Sequence, residues 1–379
     1  MNSDRSQVIA FYCSSIARGG LEMNTTRYAY WMHQRGWKVI VFCVEDSYIH
    51  QQSMEYGLDV VIVSRNRKYF DFVNAYRVKQ LFEERRVALC WFRDTRDFDL
   101  LGWLKRFSSR DIKLLYQQAM QFGVSKKDFL HTLRFKPVDA WVSTLNFLAE
   151  QVKHQTKFPH ERIHVIPLGV DATSWQNEKM TSAEARQILA LPQEVIMAGI
   201  IGRIDPLKGQ HVALNAFLSI ASKFPNLHLL IFGESTLHEG NAYEDEIRST
   251  VKASGYSDRI HFRPYDSRVQ LFYRSIDIFM LCSKGETFGT VTIEAMSFSK
   301  PVIATNSSGS PEILDGGKCG LLFEPGNADE LAAAMETLII DPSKRDELAS
   351  YGRRKFEDTY SATKSVDAME KLVIELVGV

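Results

Sequence analysis

The chain has 379 residues, 45% hydrophobic and 24% charged, with 46 Lys and Arg balanced by 46 Asp and Glu. That composition fills two cores of ordinary domain size, and a neutral chain without a recognised binding module is a poor partner for nucleic acid. Five scattered cysteines (Cys13, Cys43, Cys90, Cys282 and Cys319) lack C-x-x-C spacing, which argues against a zinc site or disulfide framework, and no apolar run approaches a membrane span. The opening residues hold no sustained apolar segment before the chain turns polar at Ser14, so a cytoplasmic protein is expected, with peripheral attachment to the inner face of a membrane left open.

Apolar runs alternate with amphipathic stretches along the chain. In the first half strands are predicted at Val8–Tyr12, Lys38–Val44, Asp59–Val63, Ala88–Phe92, Lys113–Tyr116, Ala140–Ser143 and His164–Pro167. Helices are predicted at Leu21–Arg35, Asn74–Arg85 and Asn146–His154, with another beginning near Lys126. The polar stretch Gly169–Gln193, with Trp175, reads as a connection between domains. Further strands follow at Ile196–Ile201, His228–Phe232, Arg259–Phe262, Ile276–Leu281, Pro301–Thr305 and Gly320–Phe323, and a last helix at Ser365–Leu376. Strands separated by helices twice over predict an α/β protein with two parallel, doubly wound sheets.

Two motifs carry chemistry. In GETFGTVTIEAM a turn bearing Glu286 leads into an amphipathic helix whose first turn is expected to expose backbone amides and carry Glu294. Amides at a helix start hold a diphosphate, and flanking carboxylates accept hydrogen bonds from hexose and ribose hydroxyls, which suits a sugar nucleotide. In GIIGRIDPLKGQ, Arg203 and Lys208 lie between a strand and a helix starting near Gly209, where open α/β sheets bind ligands. A guanidinium and a mobile ammonium there suit a diphosphate leaving group. Near the start, Gly19 and Gly20 allow close backbone approach to a ligand at a helix N-terminus, but no G-x-G-x-x-G marks a dinucleotide site.

At these residues the chain resembles the retaining glycosyltransferases of family four, the group 1 enzymes with an E-x7-E motif and a GT-B fold of two Rossmann-like domains facing each other across a cleft. RIHVIPLGVD, SIDIFMLCSKGETFG, NSSGSPEIL and GGKCGLLFEPGNADELAAAM share the likeness, which is strongest from about Glu161 to Ile340. The resemblance implies an acceptor-side domain at residues 1–170, a donor-binding domain at 171–359, and a terminal helix at 360–379 packing back on the first. It also implies that Arg203 and Lys208 hold the donor pyrophosphate, that Glu286 contacts the sugar and Glu294 the ribose, and that the Phe288–Gly289–Thr290 turn offers amides to the phosphates. The Gly19–Gly20 turn would close over the donor.

Where family members often have a histidine after a strand, this chain has Gln117 and Gln118. A glutamine hydrogen-bonds a sugar hydroxyl but cannot act as a base, so Gln118 is expected near the reacting sugar, and His131, further on, is either an acceptor-side candidate or a surface or packing residue. Arg93, Asp94, Arg96 and Asp97 follow a strand end. They fit either acceptor recognition or a local ion-pair cluster capping the next helix. Residues 1–180 hold 26 Lys and Arg against 19 Asp and Glu. Within them Lys105, Arg106, Phe107, Arg110, Lys113, Lys126, Lys127, Phe129, Arg134, Phe135 and Lys136 form a basic, aromatic region. It would meet an anionic bilayer or an acidic or lipid-linked acceptor, or serve as a solvated face with its aromatics in the core.

The expected reaction is retaining transfer from a UDP- or GDP-sugar without an enzymic nucleophile, metal ion or other cofactor, for polysaccharide, lipopolysaccharide or glycolipid synthesis. A phosphorylase, a sugar-nucleotide epimerase or a non-catalytic nucleotide-sugar-binding protein are the alternatives.

Overall fold

The computed structural model describes residues 5–66, 71–173, 175, 179–235 and 242–378. The chain divides into two compact units, Met1–Pro167 with Ser365–Val379, and Leu168–Lys364.

In the first unit β1 (Val8–Cys13), β2 (Lys38–Cys43), β3 (Asp59–Ile62), β4 (Val87–Phe92), β5 (Lys113–Gln117), β6 (Ala140–Ser143) and β7 (Ile163–Val165) form one parallel sheet in the order β3-β2-β1-β4-β5-β6-β7. Runs such as VIAFYC and VALCWF are almost wholly buried, as strands covered on both faces must be. The chain adds strands outward from β1 on one side and from β4 on the other, so the strand order reverses between these two parallel strands. Phe98, Tyr116, Phe135 and Trp141 interlock beneath it. The helix Ala362–Val377 explains why the last residues belong here. Its Glu370 accepts a hydrogen bond from Trp37 Nε1 at 2.8 Å and pairs with Arg35 at 2.6 Å, while Ser365 Oγ lies 2.5 Å from the buried Tyr28 hydroxyl.

The second unit repeats the plan with β8 (Ile196–Ile201), β9 (Leu227–Phe232), β10 (Ile260–Arg263), β11 (Ile278–Leu281), β12 (Val302–Thr305) and β13 (Leu321–Phe323), ordered β10-β9-β8-β11-β12-β13. The helices Gln210–Ile220 and Ala328–Ile340 cover one face through Phe217, Leu214, Leu331 and Met335.

One expectation needs correction. Within Gly169–Gln193 the described residues belong to the body of the second unit. Thr181 and Glu184 form a reciprocal capping box that starts the helix Ser182–Ile188, and buried Arg186 reaches from it to Asp277 Oδ2 at 2.8 Å. Trp175 stacks on Phe298 with ring centroids 6.0 Å apart.

Candidate active site

In the second unit the strand order reverses between the parallel β8 and β11, and the carboxyl ends of two such strands flank the crevice where doubly wound sheets take ligands. A pocket of about 120 Å³ lies there, lined among others by Gly202, Lys208, Ser283, Glu286 and Thr290. Lys208 and Glu286, which are 78 residues apart, meet in it with Nζ 2.6 Å from Oε2.

Local geometry fixes both. Asp205 caps the short 3₁₀ turn Pro206–Lys208 by accepting from Leu207 N at 2.8 Å, and its other oxygen pairs with Arg203 Nη2 at 2.7 Å. Gly209 follows at φ +75°, and a Cβ on it would lie 2.3 Å from the Cys282 carbonyl oxygen, so only glycine lets this turn pack against the segment leaving β11. Gln210 is buried, and its amide donates to the Arg203 carbonyl at 2.8 Å, tying the two ends of the loop together. Arg203 itself stays about half exposed.

On the other side, Gly289 at φ +71° turns the chain into the helix Thr290–Ser297. Phe288 points inward and packs edge-on against Tyr360. The structure corrects two expectations for this helix. Its first turn has no acidic residue, because Glu294 is its fifth residue, and the run Thr292–Ser297 is buried rather than amphipathic. Glu294 is only 8% exposed and accepts a 2.7 Å hydrogen bond from the fully buried Tyr273 hydroxyl. Arg203, Lys208, Glu286, Phe288, Gly289, Thr290 and Glu294 thus all belong to the two segments leaving β8 and β11 and the helix that follows β11.

In the first unit Gly19 precedes the helix Gly20–Gln34, and neither glycine has a positive φ. A Cβ on Gly20 would meet nothing within 4 Å, whereas one on Gly19 would lie 3.4 Å from Glu22 Oε2. Beyond β4, Asp94 caps the turn Thr95–Asp97 and pairs with Arg96 at 2.8 Å. Asp97 is fully buried and accepts from Ser14 Oγ at 2.6 Å and Asn66 Nδ2 at 2.7 Å. Burial, and then the charge of Asp94, push its carboxyl up to about 8. An ion-pair cluster is therefore present, but it caps the 3₁₀ turn and not the helix Phe98–Phe107 that follows, which has no side-chain cap, and Asp97 also ties β1 to β4. Cys13, Asp94 and Asp97 lie together as three possible metal ligands that the sequence did not reveal. Both carboxylates already accept hydrogen bonds from protein groups, and burial raises the Cys13 thiol well above its ordinary value. Arg93, by contrast, is 2% exposed, and its Nε and Nη1 have no partner among the described residues.

Gln118 departs from expectation. It is fully buried, its oxygen accepts from Ser143 Oγ at 2.8 Å and Trp141 Nε1 at 3.2 Å, and its amide donates to the Met120 carbonyl. A carboxamide engaged in this way braces β5 against β6 and is not presented to a sugar. His131 sits on the helix Phe129–Phe135 with Nδ1 2.5 Å from Asp128, the residue that caps that helix. The basic region divides between the two readings. Lys105 pairs with Asp139, Arg134 with Asp99, and Phe135 is buried, whereas Phe129 and Leu130 stand exposed.

Sequence reasoning missed Asp205, Gln210 and Tyr273. Asp205 and Gln210 were within reach, since they flank the motif residues, but nothing local links Tyr273 to a carboxylate 21 residues away.

Two family models match the chain, "Glycosyl transferases group 1" over residues 181–355 and "Glycosyltransferase Family 4" over residues 18–174. A D-inositol 3-phosphate glycosyltransferase of Corynebacterium jeikeium is 31% identical over 220 residues, 56% of this chain and 52% of that protein. The mannosylfructose-phosphate synthase of Agrobacterium fabrum is 25% identical over 319 residues, 82% of this chain and 68% of that protein. The chain spans about half the length of the inositol-phosphate relatives that it matches. Among solved structures, a glycosyltransferase from Rickettsia africae aligns with a TM-score of 0.88 at 18% identity, covering 98% of this chain and 99% of the other. Anabaena Alr3699/HepE in complex with UDP aligns with a TM-score of 0.84 at 19% identity, covering 97% and 100%. These likenesses agree with the two Rossmann-like units in showing the GT-B type of fold. Matched in each half by a model of the same enzyme group, the chain belongs to the group 1 glycosyltransferases of family four.

Proposed function

We propose that this protein is a retaining glycosyltransferase that moves a sugar from a nucleoside diphosphate sugar, such as a UDP- or GDP-sugar, to an acceptor hydroxyl. The observation that carries the proposal is the meeting of Lys208 and Glu286 at the reversal point of the second sheet, with Arg203 on the same loop. Lys208 and Arg203 take the diphosphate, the amides beginning at Thr290 take its oxygens, Glu286 takes the transferred sugar, and Glu294, held by Tyr273, takes the ribose. The leaving phosphate oxygen accepts the acceptor's proton on the same face, so the site acts by positioning and electrostatics and needs neither a metal ion nor another cofactor.

Relatives named for inositol phosphate and mannosylfructose phosphate chemistry support a small or saccharide acceptor. Exposed Phe129 and Leu130 near Lys126 and Lys127 support a lipid-linked or glycolipid acceptor reached from the inner face of a membrane. No helix among the described residues is long and apolar enough to cross one.

A thermal-shift screen against nucleoside diphosphate sugars tests the donor assignment. Ligand at a hundred times its Kd adds about 2.7 kcal/mol of stability. One nucleotide series should raise the melting temperature in the wild type and fail to do so in the Arg203→Ala, Lys208→Ala double variant. If no nucleotide sugar shifts the wild type, the proposal is wrong.

A further inference from the structure

Arg93 stands where a buried cation is costly. It follows β4 directly, is 2% exposed, and its Nε and Nη1 have no hydrogen-bond partner among the described residues. Desolvating a guanidinium without pairing it is unfavourable, so such a group persists only when something else rewards it.

Its neighbour has the same character. The register pairs Phe92 with Tyr116, so the next step places Arg93 beside Gln117, the last residue of β5. Both lie on the face of Trp91 by strand alternation, and the contact between Trp91 Nε1 and Gln117 Oε1, at 3.1 Å, agrees. That bond occupies the oxygen of Gln117 and leaves its Nε2, in a residue with no exposure, without a partner among the described residues. Three donor nitrogens therefore lie on neighbouring strand ends at the carboxyl edge of the first sheet, and no acceptor among the described residues serves them. The nearby Glu22 influences Arg93 electrostatically, but its carboxylate accepts from Ser15 Oγ at 2.5 Å, and Asp94 is paired with Arg96. Donors without acceptors, one of them cationic, fit an oxyanion.

We propose that Arg93 and Gln117 form an oxyanion-binding site in the first unit that selects acceptors bearing a carboxylate or phosphate group. The inference rests on reading the first unit as the acceptor half, and it names the acceptor's chemistry. Arg93 offers a planar fork to two oxygens and Gln117 adds a donor from the neighbouring strand. A neutral acceptor could offer hydroxyl oxygens to these nitrogens but would leave the charge of the buried guanidinium uncompensated.

Calorimetric titration with glucose 6-phosphate and with glucuronate tests this, with glucose as the uncharged control. The protein carries Arg203→Ala and Lys208→Ala, so the proposed donor cations cannot bind the probe. At least one anionic probe should bind while glucose does not, and the stronger one identifies the anion. Adding Arg93→Met should weaken that binding at least tenfold. Gln117→Glu should abolish it and raise the melting temperature, because the new carboxylate keeps the bond to Trp91 and pairs with Arg93. This second variant decides the matter if Arg93→Met fails to fold. Absence of anion binding, or binding unchanged in Gln117→Glu, would overturn the proposal. Because the readout is binding and needs no turnover, it stands apart from whether glycosyl transfer is detected.

Discussion

Tyr273→Phe is the most informative single substitution at the proposed donor site. It deletes one hydroxyl, leaves the ring stacked on Phe298 at 5.3 Å, and takes from Glu294 a 2.7 Å hydrogen bond inside a site only 8% exposed. A hydrogen bond to a charged group contributes about 1.5–3 kcal/mol. Glu294 keeps other interactions, so the lower figure applies, and in a unit of this size about 1.5 kcal/mol lowers the melting temperature by roughly 3–6 °C. Scanning calorimetry reads that loss. The functional consequence is separate: a Glu294 no longer held in one rotamer should bind the ribose of a nucleoside diphosphate about tenfold more weakly, the equivalent of about 1.4 kcal/mol. Calorimetric titration of the variant measures this directly. A lower melting temperature with undiminished nucleotide affinity would show that Tyr273 only packs the core and that Glu294 does not hold the ribose.

Three other outcomes are expected. Glu294→Gln should weaken diphosphate affinity, whereas Glu286→Gln should mainly slow transfer and blur sugar discrimination; equal affinity losses in titrations of the two would contradict that division. Gln118→Ala strips partners from Trp141 Nε1 and Ser143 Oγ and should destabilise the first unit by about 2–4 kcal/mol in urea unfolding while nucleotide binding persists; a stable variant with impaired transfer would return Gln118 to the active site. Burial, and then His228 and Arg263, hold His261 down at about 4 against 6.5 in the unfolded chain, so the unfolded state takes up a proton first and stability should fall as pH drops from 6.5 towards 4. His261→Gln should flatten that slope in urea unfolding followed across the range, and an unchanged slope would refute the assignment.

The sequence was most legible where one local pattern determines the outcome. Continuous apolar runs locate the strands of both sheets close to their observed bounds, because a strand buried on both faces admits little else. The proposed donor motifs stood out in the sequence because Arg203, Lys208, Glu286 and Glu294 lie on short segments next to β8 and β11. What escaped was long-range or depended on burial. Gln118 looks like a polar residue at a strand end, and only the placement of Trp141 and Ser143 on the next strand shows that it is consumed in the core. Tyr273 acquires its role through the folding of one helix against another. Arg93 and Gln117 were both singled out in the sequence, but that their donors are buried and meet no acceptor among the described residues shows only in the structure. The Thr181–Glu184 capping box, in contrast, was available to sequence reading and would have placed its helix in the second unit.

The central claim is that Lys208 and Arg203 hold the diphosphate while a sugar is transferred with retention of its anomeric configuration. The most direct measurement follows transfer from the nucleotide sugar selected in the thermal screen by proton NMR, resolving the anomeric signal of the new product, for the wild type and for Lys208→Ala at saturating donor. Removing one charge-assisted contact worth about 1.5–3 kcal/mol should slow transfer at least tenfold, and the wild-type product should keep the donor's configuration. A product of inverted configuration, or a Lys208→Ala rate equal to that of the wild type, would contradict the account.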